Sequence, residues 1–478
     1  MKTCCTTLKT SSTFTNHHRA SKQKKTAANM LSAVEKPLVV AVGYPADGHA
    51  GPIIRALSYL TARGFKAWIV TGDQYKDQAM SAGVERFFTH PSPFLMHQNI
   101  MEGIEDVAPG LHQFDFELQR VFIRDMPSYF EAVRGALEAA RTEYPGKKIV
   151  VMQDMCITGT APFLYGAPPP KGFEEDGFPR VLTVNASMNF HSGPEVPPLF
   201  SRVDPGDISE EEMRKLYDAF SEAMQSSKDL FNKLVAELGA TGQMTGLITD
   251  AFLDKPDISV QLCSPALDYH RNELPPNYRF VGGLPMPPPK GGVLPQWLQS
   301  FLDDKAGRKL VFVTQGTIDT DYTELLIPTL QVLSGREDVF VVGVLGVKDA
   351  KLPEEVEAGL DGNVKVLDYF PYTEILPHTD VFITNGGYGG FMQGVMNAAP
   401  MVIGGEAKDK GEVAVRMELA GLGVNLKTAR PAKEDLVAAI DKVLSNPNYK
   451  KRALELKKEN EDMDAIRGIE EALLELAT

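Results

Sequence analysis

The sequence predicts an α/β protein built from two doubly wound parallel sheets that face each other across a cleft. Three observations carry this. Short apolar runs alternate along the chain with stretches that are apolar at helical spacing. The β-loop-α opening near residue 37 recurs near residue 309. Between the two series lies one aperiodic stretch of proline and glycine.

Pro37-Leu-Val-Val-Ala-Val-Gly43 is apolar throughout, as a strand covered on both faces must be. The loop through His49 then leads into Pro52–Leu60, whose apolar residues fall at helical spacing. Ala67–Thr71 supplies a second strand, Phe130–Arg141 a helix, and Lys148–Met152 a third strand that runs out at Asp154. Val181–Val184 gives another strand, and Ser209–Leu238 one long helix whose Met and Phe stripe reads as core. Ile258–Leu262 and Arg279–Val281 close this half.

Gly282–Gly292 combines stiff proline with permissive glycine and marks the linker, taken as 282–296. Lys309–Thr314 opens the second series, followed by a helix over Tyr322–Leu333. Strands follow at Val339–Val342, Val364–Leu367, Val381–Thr384 and Pro400–Ile403. The expected organisation is therefore an extension over 1–36, domains over 37–281 and 297–455, and a C-terminal helix over 456–478 that packs back on the first domain.

Composition excludes several classes. The 478 residues provide material for about two to three domains. A net charge of -14 lacks the basic footprint that nucleic-acid binding needs. Cys4 and Cys5 are adjacent, and Cys156 and Cys263 lie far apart, which gives neither a disulfide framework nor a zinc spacing and suggests a reducing compartment. Residues 1–30 are rich in Lys, Thr and Ser without an acid or an apolar core, so they read as a disordered extension rather than a secretion signal. No run approaches the roughly 18 apolar residues of a membrane span, and the expected location is cytoplasmic.

The most informative feature is Asn385-Gly-Gly-Tyr-Gly-Gly390 directly after the strand Val381–Thr384, paired with Glu406-Ala-Lys-Asp-Lys410 after the next strand. A glycine turn between strand and helix aims unpaired N–H groups and a positive helix end at one point, which suits phosphate. An acid and a lysine beyond the next strand can hold hydroxyls. This is half of a nucleotide-sugar site. In open parallel sheets the ligand crevice lies beyond the carboxyl ends of the strands, and His49, Asp154, Thr317, Asn385–Gly390 and Glu406–Lys410 all fall there.

His49 and Asp154 admit two readings: a base with its orienting carboxylate, or a loop histidine and a helix cap that never meet. Asp319-Thr-Asp321 resembles a cation site, but its place before a helix favours capping. The remaining histidines show no ligand spacing, so no metal is expected. Gly-x-Ser-x-Gly, Gly-x-Gly-x-x-Gly after the first strand, and the Walker pattern are all missing.

From Pro37 onward the chain resembles the UDP-sugar-dependent glycosyltransferases of the GT-B fold, which have two facing Rossmann-like domains. The residues that carry the resemblance are Gly48-His49 followed by Pro52, Tyr369-Phe-Pro371 with Glu374-Ile-Leu376, and Asn385–Gly390 through Asp409-Lys410. The resemblance implies that His49 is the general base and Asp154 the acid that orients it. Tyr369 takes the place of a tryptophan stacking on uracil, and Phe370 offers backbone contacts to the base. Gln393 replaces the ribose-binding glutamate, while Gly48, Gly316, Thr317 and Gly386, Gly387, Tyr388, Gly389 and Gly390 surround the diphosphate. Asn385 replaces a phosphate-contacting histidine, and Lys410 a glutamine beside Asp409. These exchanges resemble a microbial or fungal branch and point to glucose as the sugar. The implied reaction is a single inverting displacement that needs no metal or cofactor. Apart from the resemblance, the apolar, Met- and Phe-containing N-terminal half suggests a small lipophilic or phenolic acceptor, met by Phe94, Met155, Phe190 and His191. The competing readings are a sugar-nucleotide epimerase of similar architecture and a catalytically silent sugar-nucleotide-binding protein.

Overall fold

The computed structural model describes residues 35–90, 99–108, 110–286, 294–317 and 320–478. The first sheet contains β1 (Leu38–Val42), β2 (Lys66–Thr71), β3 (Arg86–Thr89), β4 (Ile149–Asp154), β5 (Val181–Asn185), β6 (Ile258–Gln261) and β7 (Tyr278–Phe280). The second contains β8 (Lys309–Thr314), β9 (Val339–Val344), β10 (Val364–Leu367), β11 (Val381–Thr384), β12 (Met401–Ile403) and β13 (Gly423–Asn425). Their orders are β3-β2-β1-β4-β5-β6-β7 and β10-β9-β8-β11-β12-β13, and the named strands pair in parallel. Apart from β7, the two sheets share one topology. Each reverses its direction of winding once, between β1 and β4 and between β8 and β11.

Alternation along β1 explains why it is apolar throughout. Val39 and Ala41 pack with Ile53, Leu57 and Leu60 of α1 (Asp47–Ala62) on one face. Leu38, Val40 and Val42 pack with Tyr129, Val133 and Leu137 of α2 (Met126–Glu143) on the other.

Several elements differ from expectation. α1 begins at Asp47, because the Ala46 carbonyl already accepts from the His49 and Ala50 amides, so His49 lies in the first helical turn and not in a loop. Gly48 and Gly51, poor helix formers, had hidden that turn. The stretch 209–238 is two helices, α3 (Glu210–Ala223) and α4 (Gln225–Glu237), which break at Met224 and bury Phe220 and Phe231 in the core. The edge strands β3 and β13 were missed; one is largely uncovered and the other has only three residues. α5 starts at Leu326 rather than Tyr322, since the Gln315 side chain accepts from the amides of Leu325 and Leu326 at 3.3 and 2.9 Å.

The C-terminus crosses between the sheets. α8 (Pro447–Met463) packs Leu456 in the core cluster that includes Val395 of the second sheet's layer. Asp464 then turns the chain with φ +54° and caps the next helix by accepting from the Arg467 amide. α9 (Ala465–Leu476) inserts Ile466, Ile469 and Leu473 beside Ile53, Leu57 and Val184 of the first domain. Each such side chain contributes about 1.5–3 kcal/mol on burial. α8 already reaches the first domain at Asn460, whose side chain accepts from the Ser264 amide at 2.8 Å, so the return takes in the end of α8 and all of α9. Among the described residues no helix is long and apolar enough to cross a membrane.

Candidate active site

Strand register brings His49 and Asp154 together. Val42 pairs with Gln153, so Asp154 is the first residue beyond the paired ladder of β1 and β4, beneath the opening turn of α1. His49 Nδ1 lies 3.1 Å from both Asp154 oxygens. The carboxylate is fully buried and also accepts from the Cys156 amide at 2.9 Å, whereas the imidazole keeps 23 % of its side-chain surface exposed. Tyr44 meets the ring edge-on at 5.5 Å and Phe122 flanks it at 6.5 Å. Tyr44 is itself anchored through its hydroxyl to the Val121 carbonyl at 3.1 Å.

Burial works against a charged imidazolium at His49, but the Asp154 carboxylate, with a further contribution from Cys156, outweighs it and raises the pKa well above the ordinary value. With Nδ1–H donated to Asp154, the lone pair on Nε2 is the basic position.

The second switch point is made of backbone. Gly386 adopts φ +89°, and a Cβ there would stand 2.7 Å from Ile403 Cγ2. A Cβ on Gly405 would lie 1.9 Å from the Asn385 carbonyl oxygen. Only glycine at both positions lets the ends of β11 and β12 approach this closely. The start of α6 (Tyr388–Met396) and the Glu406–Lys410 loop therefore converge. Asn385 Nδ2 donates to the Gln315 carbonyl at 2.6 Å, tying the end of β11 to that of β8, and its Oδ1 accepts from the Gly387 amide at 3.4 Å. Gly316 and Thr317 follow β8 at the same edge. Gly48, Gly316 and Gly389 all border open space, with nothing within 4 Å of an added Cβ.

The two switch points face one gap. Asp409 stands just before α7 (Lys410–Leu419) without a side-chain capping bond, where burial raises its carboxyl while the charges of Lys410 and, across the domain boundary, His49 pull it down. A buried clasp holds α7 there. Arg416 donates to Asp268 at 3.1 Å, to Glu412 at 3.1 Å and to the Asn189 carbonyl at 3.0 Å, and its guanidinium stacks 4.0 Å from the Tyr269 ring. The Arg202 amide donates to Glu412 at 2.7 Å. A cavity of about 540 Å³ lies alongside, lined by Arg202, Asp204, Glu406, Glu418 and Lys427 among others, and does not include His49.

Other expected residues are spread more widely. Tyr369 is 59 % exposed at the rim, whereas Phe370 is buried against Trp297 at 5.6 Å. Gln393 is half-buried on α6. The Tyr388 side chain points away from the glycine turn, and its hydroxyl accepts from Gln261 of the first domain at 3.1 Å. Met155 is buried with Leu253 and Tyr278, and Phe190 packs against them. His191 is held between Asp254 at 2.8 Å and the Ser192 carbonyl at 2.7 Å. Phe94 and Asp319 lie outside the described residues. Asp321 accepts from Arg430 at 2.6 Å and from the Thr323 amide at 3.1 Å, so it does not cap α5.

The model of the UDP-glucoronosyl and UDP-glucosyl transferase family matches residues 229–469. UDP-glucosyltransferase 1 of Beauveria bassiana (strain ARSEF 2860) is 34% identical over 446 residues, which cover 92% of this chain and 95% of the relative. The chain belongs to this family. UDP-glucosyltransferase B1 of Starmerella bombicola is 33% identical over 451 residues, covering 93% of this chain and 100% of its own. The glycotransferase of kitacinnamycin shares the fold, with a TM-score of 0.67 at 17% identity over 92% of this chain and 99% of that one. The protein is thus a UDP-sugar-dependent glycosyltransferase of the microbial and fungal branch, with the GT-B architecture.

Sequence reasoning overlooked Gln315, Cys156 and the Arg416 clasp. Cys156 had a legible signal, two residues past Asp154 at a strand end. Arg416 had none, because its partners are remote in sequence.

Proposed function

We propose that the protein transfers glucose from UDP-glucose to a hydroxyl of a small lipophilic or aromatic acceptor, with inversion and without a metal. The observation that carries the proposal is the His49 imidazole seated on the buried Asp154 carboxylate at 3.1 Å, within electrostatic reach of Asp409 from the other domain.

In this reading, Nε2 of His49 takes the acceptor proton as the acceptor oxygen attacks the anomeric carbon, and Asp154 balances the imidazolium that forms. The bond to UDP breaks on the opposite face. Charge on the departing diphosphate meets the backbone amides around Gly316, Thr317 and the Gly386–Gly390 turn, in a seat where Gly316 and Gly389 leave open space. Asp409 and Lys410 hold the sugar hydroxyls, and Tyr369 presents an exposed ring to uracil. Glucose is favoured because both fungal relatives are UDP-glucosyltransferases by name. An apolar acceptor is favoured by the Tyr44 and Phe122 rings beside the base.

A UDP-release screen of phenols, sterols and hydroxy fatty acids against UDP-glucose and its rivals, with EDTA present, tests this. UDP-glucose should give the fastest release, and the product should carry the inverted anomeric configuration. UDP binding without release for any acceptor would favour a silent binding protein. An epimerised sugar nucleotide formed without acceptor would favour an epimerase.

A further inference from the structure

The fold places a thiol beside the proposed base. Cys156 follows Asp154 by two residues, and its own amide fixes the Asp154 carboxylate at 2.9 Å. Donor atoms of His49, Asp154 and Cys156 all lie within 4.8 Å of one another. Imidazole and thiol are half-buried and reach the cleft, while the carboxylate is fully buried beneath them.

We propose that His49, Asp154 and Cys156 form a site for a thiophilic divalent cation such as Zn²⁺, and that its occupation switches transfer off. The inhibitory half of this rests on the reading of His49 as the base. One nitrogen, one carboxylate oxygen and one sulfur make a donor set that suits Zn²⁺ or Co²⁺ and not Mg²⁺ or Ca²⁺, which take oxygen ligands. Three protein ligands leave a fourth position open to water from the cleft, as tetrahedral zinc prefers. Tetrahedral ligand bonds of about 2.0–2.3 Å hold donor atoms roughly 3.3–3.6 Å apart, so the 3.1 Å pair of His49 Nδ1 and Asp154 opens slightly, and the sulfur, within 4.8 Å of both, sets the rest. Rotation of the His49 and Cys156 side chains supplies that adjustment, and the anchored Asp154 supplies the floor. On binding, the S–H bond is exchanged for an S–metal bond and the proton passes to solvent, so affinity rises with pH. Asp154 faces Nδ1 of His49, so the ion takes Nδ1 and the Nδ1 proton moves to Nε2, where it blocks the lone pair needed to accept the acceptor's proton. The metal is therefore an inhibitor in this proposal and not a cofactor.

The test uses the full-length chain with Cys4→Ser and Cys5→Ser, which removes the tail thiols. Titration with Co²⁺ should give one thiolate-to-metal charge-transfer absorption per chain, lost in Cys156→Ser and weakened in His49→Gln. In parallel, Zn²⁺ should suppress UDP release, EDTA should restore it, and Mg²⁺ should have no effect. Relative to its own metal-free rate, Cys156→Ser should need at least about tenfold more Zn²⁺ for half-inhibition. An absorption that is missing, or that persists unchanged in both Cys156→Ser and His49→Gln, overturns the site. An absorption that depends on both residues with transfer undiminished keeps the site and overturns His49 as the base.

Discussion

Where β1 and β4 part, the strand ends carry an imidazole on a buried carboxylate, walled by Tyr44 and Phe122. Where β8 and β11 part, they carry glycines, one amide side chain and a helix start. The topology is the same at both points. What differs is whether side chains fill the crevice or are withheld from it. In the proposed mechanism, filling supplies a polarised base in a sheltered place, withholding exposes backbone N–H groups to the diphosphate, and transfer needs both, on opposite sides of one carbon.

The comparison breaks most sharply at Asp154. Asp154→Asn should reduce kcat/KM roughly a hundred- to ten-thousand-fold while UDP affinity stays unchanged. The pH profile of residual activity gives the sign. In the proposed mechanism transfer requires neutral His49, so the wild-type rate should fall as pH drops through a pKa raised above the ordinary value, and loss of the carboxylate should move that limb to lower pH. A limb that stays in place would show that Asp154 does not charge-balance the base.

The clasp gives the next largest effect. Arg416→Met leaves the buried Glu412 carboxylate without its cation, while Asp268 keeps Arg271 at 3.0 Å, and should cost about 3–5 kcal/mol of stability in denaturant unfolding. Two glycines then separate fold from cradle. Gly386→Ala must adopt a left-handed φ and should lose about 1–3 kcal/mol of stability. Gly389→Ala meets nothing within 4 Å, so Tm should hold while UDP affinity falls about tenfold, or 1.4 kcal/mol, as the methyl enters the phosphate seat. Equal UDP affinity in Gly389→Ala and wild type would remove the second crevice from the donor site. The smallest effect belongs to Asp321, which is exposed and paired with Arg430. Asp321→Asn should leave transfer unchanged in either EDTA or Mg²⁺; a Mg²⁺-dependent loss would revive the cation reading.

Most of the sheet architecture was legible because buried parallel strands such as Leu38–Val42 and Lys309–Thr314 write themselves as unbroken apolar runs. Arg86–Thr89 and Gly423–Asn425 were not, since an edge strand with polar ends and a three-residue strand lack that pattern. His49 was legible as a residue but not as helical, because Gly48 and Gly51 lower the local propensity while the Ala46 carbonyl supplies the missing order. Tyr388 was legible only through its backbone, which belongs to the glycine turn; its hydroxyl accepts from Gln261 across the domain interface. Contacts between segments far apart in sequence, such as Arg416 with Asp268, leave no periodic trace.

The central claim is that proton acceptance and anion binding reside on different sheets and can be separated. His49→Ala tests it with two readings on one sample: UDP affinity by calorimetry, and transfer by UDP release in saturating acceptor. The account predicts affinity unchanged within about twofold and transfer reduced by at least about a hundredfold. Undiminished transfer, or loss of UDP binding together with transfer, would contradict it.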